Sequence, residues 1–232
     1  KMEAAEGGSV GGAVTAEEAA APSRQAVARL NGLLHQAGLP VLDHSLTHRF
    51  EAYLSLLLRW NTRINLTAVR DADSIVSRHF VESIVCAHAL PAGIATLLDL
   101  GSGAGFPGIP VALCRPEIQV TLAESQNRKA AFLHEAIREL GIAARVHAGR
   151  AEEIAGNFDC ITLRAVDRMP EAVRTAAKLA GPGKWIAVMT TGAALASVQD
   201  VAGASFQWSE PVALPGSEDR LVALGVKDGR QA

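Results

Sequence analysis

The sequence predicts an α/β fold: a mostly parallel sheet with helices on both faces, an antiparallel last strand and a helical extension in front of it. Three observations carry this expectation. Apolar runs at 96–100, 118–123, 143–148, 158–163 and 184–189 alternate with helical stretches at about 108–115, 127–140, 169–180 and 192–202, and such alternation implies parallel strands covered on both sides. A glycine-rich turn, Gly101-Ser102-Gly103-Ala104-Gly105-Phe106-Pro107-Gly108, joins the first apolar run to the first of these helices. The stretch from about Ser23 to Leu90 carries a helical pattern instead.

Taken in order, residues 1–22 are mostly Ala, Gly and Glu and hold too little apolar surface to order themselves, so a flexible tail is expected there. Residues 23–93 read as a helical extension. Phe50, Tyr53, Leu54, Leu57 and Leu58 form one apolar stripe. Asp43 or Ser45 is placed to cap that helix, and Asp73 or Ser74 to cap the next one, through Ile75, Val76, Phe80, Ile84 and Val85. Pro91 and Gly93 close the helical segment, and residues 94–232 follow as the α/β domain. Its tail differs: Phe206 to Val212, then Pro215-Gly216, then Leu221 to Val226 read as two strands joined by a loop.

Composition narrows the function classes. The 232-residue chain is long enough for one full core plus an extension, and its formal net charge of −2 gives no polycation. No apolar segment reaches the ~20 residues that span a bilayer, and no signal peptide opens the chain, so no membrane and a cytoplasmic location are expected. Cys86, Cys114 and Cys160 sit singly among apolar neighbours without C-x-x-C spacing. They read as buried structural thiols, with no metal expected.

The glycine turn carries the chemistry. An apolar run ends in Asp99, and glycine then lets the backbone take positive φ and a ligand approach the main chain. Free N–H groups at the start of the following helix face the same space. A nucleotide-like cofactor fits such a turn. Gly103, Gly105 and Gly108 satisfy G-x-G-x-x-G, and Glu124 lies near the distance of a ribose-binding acid, so a dinucleotide-binding dehydrogenase competes. Against it, Asp99 makes the run D-x-G-x-G-x-G, which resembles motif I of S-adenosylmethionine-dependent methyltransferases. A carboxylate at the strand tip suits a sulfonium cation and an amino-acid end, and would repel a pyrophosphate.

Further strings match one family. Trp60-Asn61 with Asn65-Leu66-Thr67 resembles W-N-x-x-x-N-L-T, and Arg78-His79-Phe80-Val81-Glu82-Ser83 resembles R-H-x-x-D-S. Gly105 to Pro110 resembles G-x-P-G-x-P, and Phe158-Asp159 with Arg164-Ala165 resembles F-D-x-x-x-S-R-A. In order and spacing, from roughly residue 45 to 226, they are similar to the glucose-inhibited division protein B family. That resemblance implies a class I methyltransferase domain with a Rossmann-like sheet and S-adenosyl-L-methionine as cofactor. It also implies methylation of guanine N7 in 16S rRNA (guanine 527), on the free RNA, a small ribosomal subunit or an assembly particle.

Site roles carry over by the same resemblance. Gly101, Gly103 and Phe106 match the cofactor loop with Asp99 before it, and Glu124 followed by Ser125 matches the acid that accepts both ribose hydroxyls. A vicinal diol offers two donors and an ionised carboxylate only accepts. Ala151-Glu152 matches the pair beside the adenine, and Arg164 the arginine where cofactor and target base meet, with a positioning role. No general base is expected. Plainer readings stand beside these: Glu124 as a solvated strand-end acid, Arg164 paired with Asp159 or Asp167, Trp60 and Asn61 as a packed helix end. His79 is either an inter-domain hydrogen-bonding residue or an RNA contact.

Three positions depart from the pattern. Leu163 stands where serine is usual, Glu82 replaces aspartate, and Val188-Met189-Thr190-Thr191-Gly192 lacks the lysine before the glycine. If that lysine meets RNA phosphate in relatives, other cations must serve here, and Arg59, Arg63, Arg70 and Arg78, with His79, are the candidates. A small-molecule methyltransferase and a non-catalytic, cofactor-sensing RNA-binding protein are the competing functions.

Overall fold

A computed structural model describes residues 23–150, 153–154, 156–164 and 168–229. A helical turn at 23–28 leads into α1 (Leu30–Gln36) and then α2 (His44–Asn61). Asp43 caps α2 by accepting from the Leu46 N–H at 2.7 Å, and Phe50, Tyr53, Leu54, Leu56 and Leu57 are its buried apolar side chains, with Asn61 buried at its end. The next cap is Asp71 rather than Asp73 or Ser74. Its carboxylate accepts from the Ser74 N–H, so α3 (Ala72–Ser74) starts earlier than expected. A π-helical turn at Ile75–Phe80 follows and runs into α4 (Val81–Ala89). The sequence pattern did not show this turn, because Ile75, Val76, Phe80 and Val81 satisfy a four- or a five-residue turn equally well.

The remaining elements alternate: β1 (Thr96–Leu100), α5 (Gly108–Cys114), β2 (Gln119–Ala123), α6 (Asn127–Leu140), β3 (Ala144–His147), β4 (Cys160–Arg164), α7 (Met169–Leu179), β5 (Trp185–Thr191) and α8 (Gly192–Ala202). Then come β6 (Phe206–Trp208), β7 (Val212–Ala213) and β8 (Arg220–Lys227). The sheet order is β3-β2-β1-β4-β5-β8-β6, with β7 also paired to β8. The first five strands pair in parallel, and β8 runs antiparallel to β5. The expected single strand from 206 to 212 is broken into β6 and β7. Pro211 stands between them and has no N–H to give the ladder.

Period-two alternation along β1 divides the interior. Leu97 enters a core built with α1, α2, the π turn, α4, α5 and α6, while Leu98 enters a second core under α7 and α8. The N-terminal helices therefore share their core with one face of the sheet. The Tyr53 hydroxyl donates to the Ala104 carbonyl at 2.6 Å, and its ring packs 5.5 Å from Phe106, so α2 clamps the glycine turn. At Gly105, φ is +93°, and a Cβ would come within 2.4 Å of Ile109 Cδ1, so no larger residue fits.

Chain order reverses beside β1: the sheet grows outward through β2 and β3 and then returns to β4 on the other side. Crevices open at the carboxyl ends of strands at such a switch point. The candidate functional site lies there.

Candidate functional site

A cleft of about 630 Å3 opens above β1, β2 and β4. Gly101, Gly103, Phe106, Glu124, Ser125 and Arg164 line it, together with Arg78 and His79. Sequence reasoning thus has eight of its site residues at one cavity. Ala151 and Glu152 lie outside the described residues.

Glu124 is 7% exposed and follows directly on β2. One carboxylate oxygen accepts from the Gly103 N–H at 2.9 Å and the other from the Gln126 N–H at 2.8 Å. Two backbone donors fix the carboxylate, and each oxygen keeps a lone pair for a ligand. This is not a solvated strand-end acid. It joins the glycine turn to the end of β2.

Asp99 requires a correction. The residue is 1% exposed and does not line the cleft. Instead it accepts from the Thr162 hydroxyl at 2.8 Å and from the Gly108 N–H at 3.2 Å. Thr162 sits directly opposite on β4, so parallel register brings the two together. Asp99 acts on the site from beneath, by holding the start of α5 against β1. Burial pushes its pKa up to about 6, against the opposing pull of its hydrogen bonds.

The sign of the resulting pH dependence follows. In the native state Asp99 holds its proton up to about pH 6, whereas an unfolded Asp releases it near 3.9. Between those values the native state binds more protons, so this group's contribution falls as pH rises through the window, by on the order of 2–3 kcal/mol. Asp99→Asn is expected to remove that term. The stability difference between wild type and variant, from urea unfolding at pH 4 and pH 7, should shift toward the variant at the higher pH. An unchanged difference would mean that Asp99 is ionised in the fold at both values.

On the opposite wall a hydrogen-bonded chain runs through the helical layer. Asn61 accepts from the Leu66 and Thr67 N–H groups and donates to the Thr67 carbonyl, which braces the Asn65-Leu66-Thr67 segment at the cleft. Thr67 Oγ1 meets His79 Nε2 at 3.0 Å, and Arg164 Nη2 meets His79 Nδ1 at 2.9 Å. Arginine only donates, so Nδ1 accepts and Nε2 carries the proton toward Thr67. Burial, then the charges of Arg164, Arg78 and Arg220, lowers the His79 pKa to about 3. The ring stacks on Phe106 at 4.8 Å between centroids.

Arg164 has neither Asp159 nor solvent as its main partner. Its side chain is 9% exposed and donates to Glu82 at 2.7 Å and to Ser83 Oγ at 3.1 Å. The other Glu82 oxygen accepts from Arg220 Nε at 2.7 Å. Asp159 instead pairs with Lys184. Glu82 and Arg220 were missed as site residues. One signal was available, an acid set in the apolar run Val81-Glu82-Ser83-Ile84-Val85. Arg220 lies 138 positions away and had none. Gln126, Lys129 and Arg168 also line the cleft without having been singled out.

The arginine candidates separate. Arg59 donates to Glu135 and Glu139, and Trp60 Nε1 donates to Glu135, so that end of α2 is tied to α6 and its charge is matched. Arg63 and Arg70 are exposed, and Arg78 is exposed at the cleft rim. Cys86 and Cys160 are buried, and burial pushes the Cys86 and Cys114 thiols up to about 12, far from reactive. Among the described residues no helix is long and apolar enough to cross a membrane.

Comparison with known proteins agrees with this layout. The sequence model of the GidB family, described as rRNA small subunit methyltransferase G, matches residues 46–212. A ribosomal RNA small subunit methyltransferase G from Stenotrophomonas maltophilia is 44% identical over 151 residues, covering 64% of this chain and 70% of its own. Its counterpart from Xanthomonas campestris is 41% identical over 175 residues, covering 74% and 80%. Among solved structures, an S-adenosylmethionine-dependent methyltransferase from Aquifex aeolicus superposes with a TM-score of 0.53 at 15% identity, over 66% of this chain and 93% of that one. TrmN from Thermus thermophilus gives 0.51 at 19% identity, over 66% and 53%. At such identities these two establish the Rossmann-like class I fold.

Proposed function

The chain belongs to the GidB family of small-subunit rRNA methyltransferases, and on that premise we propose that it transfers a methyl group from S-adenosylmethionine to N7 of a guanine in 16S rRNA. The observation that carries the cofactor half is the braced carboxylate of Glu124. It faces a cleft at the switch point of the sheet, with lone pairs to spare for a ribose diol. Gly101, Gly103, Phe106 and Ser125 supply the remaining wall, and by family resemblance Ala151 and Glu152 would sit beside the adenine. Bound there, the cofactor supplies an electrophilic methyl group on a sulfonium.

The chain's own task is then orientation, because guanine N7 carries an in-plane lone pair and no proton. No group need remove one. His79 fits that requirement: its only basic nitrogen is occupied by Arg164, and it stays neutral far below pH 7. Arg164, fixed by Glu82 and Ser83, holds one side of the space where nucleophile and methyl group must align. Such alignment supplies about 7–11 kcal/mol of rate enhancement. Arg63, Arg70 and Arg78 are the exposed cations assigned to RNA phosphate, and Arg59 is set aside because its charge is matched. The reading places the protein with 16S rRNA in the cytoplasm.

The test is to supply tritiated S-adenosylmethionine with small-subunit particles and with free 16S rRNA, and to map the modified position by borohydride and aniline cleavage. Label in one guanine supports the reading. Label in a metabolite, or cofactor binding without release of S-adenosylhomocysteine, overturns it. Glu124→Ala is expected to weaken S-adenosylmethionine binding by about 1.5–3 kcal/mol, the range for hydrogen bonds to a charged group. Glu124→Gln, which keeps one acceptor, should lose less. Calorimetry reads both, and tight NAD binding by the parent protein would contradict the assignment.

A further inference from the structure

A second chamber of about 260 Å3 adjoins the cleft. It shares Arg78, His79 and Arg164 with the cleft and is closed by Met169, Met189, Thr190, Leu214 and Arg220. Resting on the methyltransferase reading above, we propose that this chamber receives the target guanine, unstacked from the RNA, with Arg220 donating to guanine O6.

Location is the first argument. The two cavities meet at His79 and Arg164, so a group seated in the chamber presents one edge to the cleft. A methyl acceptor must arrive at that boundary. The major groove of an RNA helix is deep and narrow, so an enzyme acting on a base edge has to take the base out of the stack. The smaller cavity has room for a single base, and the larger one for the cofactor.

The lining chemistry is the second. A purine is a flat apolar body with a polar rim. Met169, Met189 and Leu214 offer soft apolar surface to the body. The rim falls to Arg220 and Thr190. Arg220 Nε is spent on Glu82, which fixes the plane of the guanidinium, while its two Nη groups have no partner among the described residues. An arginine has only donors. It therefore favours guanine, which presents O6, over adenine, which presents an amino group at the same place. A single Nη donor on O6 leaves N7 free to react, whereas the bidentate O6/N7 grip of an unrestrained arginine would cover the nucleophile. The Thr190 hydroxyl, likewise without a partner among the described residues, is the acceptor for guanine N1–H. Glu82 is then a positioning residue for both sides of the boundary, since its two oxygens hold Arg164 and Arg220.

The experiment uses small-subunit particles whose methylated guanine is replaced by 2-aminopurine, which keeps N7 and lacks both O6 and N1–H. Wild type should methylate guanine about 30- to 1000-fold faster than 2-aminopurine, the span for one hydrogen bond to a charged donor and one to the neutral Thr190 hydroxyl together. Arg220→Met should lose most of the guanine rate, keep the 2-aminopurine rate, and bind S-adenosylmethionine as wild type does. Collapse of this discrimination is something a merely structural role would not produce. Thr190→Phe fills the chamber from a partly exposed position and should slow transfer to guanine by about 100-fold or more, as for any displacement of a reacting base. That variant carries the test where Arg220→Met fails to fold. Transfer by wild type with unchanged rate and discrimination in both variants overturns the chamber and leaves the methyltransferase reading standing. No transfer to rRNA by wild type overturns both.

Discussion

Glu82→Ala is expected to cost the fold on the order of 3–5 kcal/mol, the range for removing one partner of a buried ion pair. Glu82 is 2% exposed on its side chain and Arg164 9%, so Arg164 would be left charged with almost no water to replace the lost carboxylate. Arg220, 30% exposed, can turn outward and contributes less of the loss. Burial already lowers the Arg164 pKa, and Glu82 is the first influence that opposes this. Urea unfolding at pH 7 reads the loss directly. The Glu82→Ala, Arg164→Ala double variant should recover part of it, because it removes the stranded charge as well. A single-variant loss below about 1 kcal/mol would place Glu82 among surface pairs in energetic terms. The variant's methyl transfer should fall further than its stability, since both arginines lose their fixed orientation together.

Lowering the pH should destabilise the fold through His79 while the chemical step stays indifferent to pH. The unfolded histidine takes a proton near 6.5, and the native one only near 3. Between those values the unfolded state binds more protons, so stability falls as pH drops through the window, by roughly 3–5 kcal/mol in all. This runs opposite to Asp99, and the two partly cancel between pH 4 and 6. The His79 term shows cleanly only in a variant. His79→Gln retains one acceptor for Arg164 and one donor for Thr67 without a titratable ring. It is expected to flatten the acid side of the stability curve. In single-turnover methylation between about pH 6 and 9, wild type should give a flat profile, and the variant should keep most of its rate at saturating RNA. An acid limb near 6.5 that disappears in the variant would show that His79 is a base after all.

The glycine turn, Glu124 and the strand–helix alternation were legible because each is a local pattern with one physical meaning. Helices 127–140 and 192–202 have the bounds the pattern predicts. Asp99 was legible as present and misread as facing the ligand. The sequence shows that an acid ends the strand, but only register shows that Thr162 and the Gly108 N–H consume it. The pairing of Arg59 was hidden for the same reason, its two acids lying on another helix. The assembly of His79, Glu82, Arg164 and Arg220 joins two helical turns, an inner strand and the last strand, and no spacing rule connects those places. Long-range pairing is what a single sequence hides.

The sheet is a partition between two unequal layers. On one side Phe50, Tyr53, Phe80 and Phe106 interlock, and on the other the core leans on small residues, with Ala172, Ala176, Ala180 and Ala202 on or just after α7 and α8. Less apolar surface holds the second layer down, so it is the one to lift first in native-state amide exchange, with α2 and α4 opening only near the global limit. Breathing of this kind loosens the chamber at Met169, at the head of α7, while the wall behind the glycine turn stays shut. In the proposed reaction this would let a large, slow RNA product leave from one flank without opening the cofactor's seat on the other.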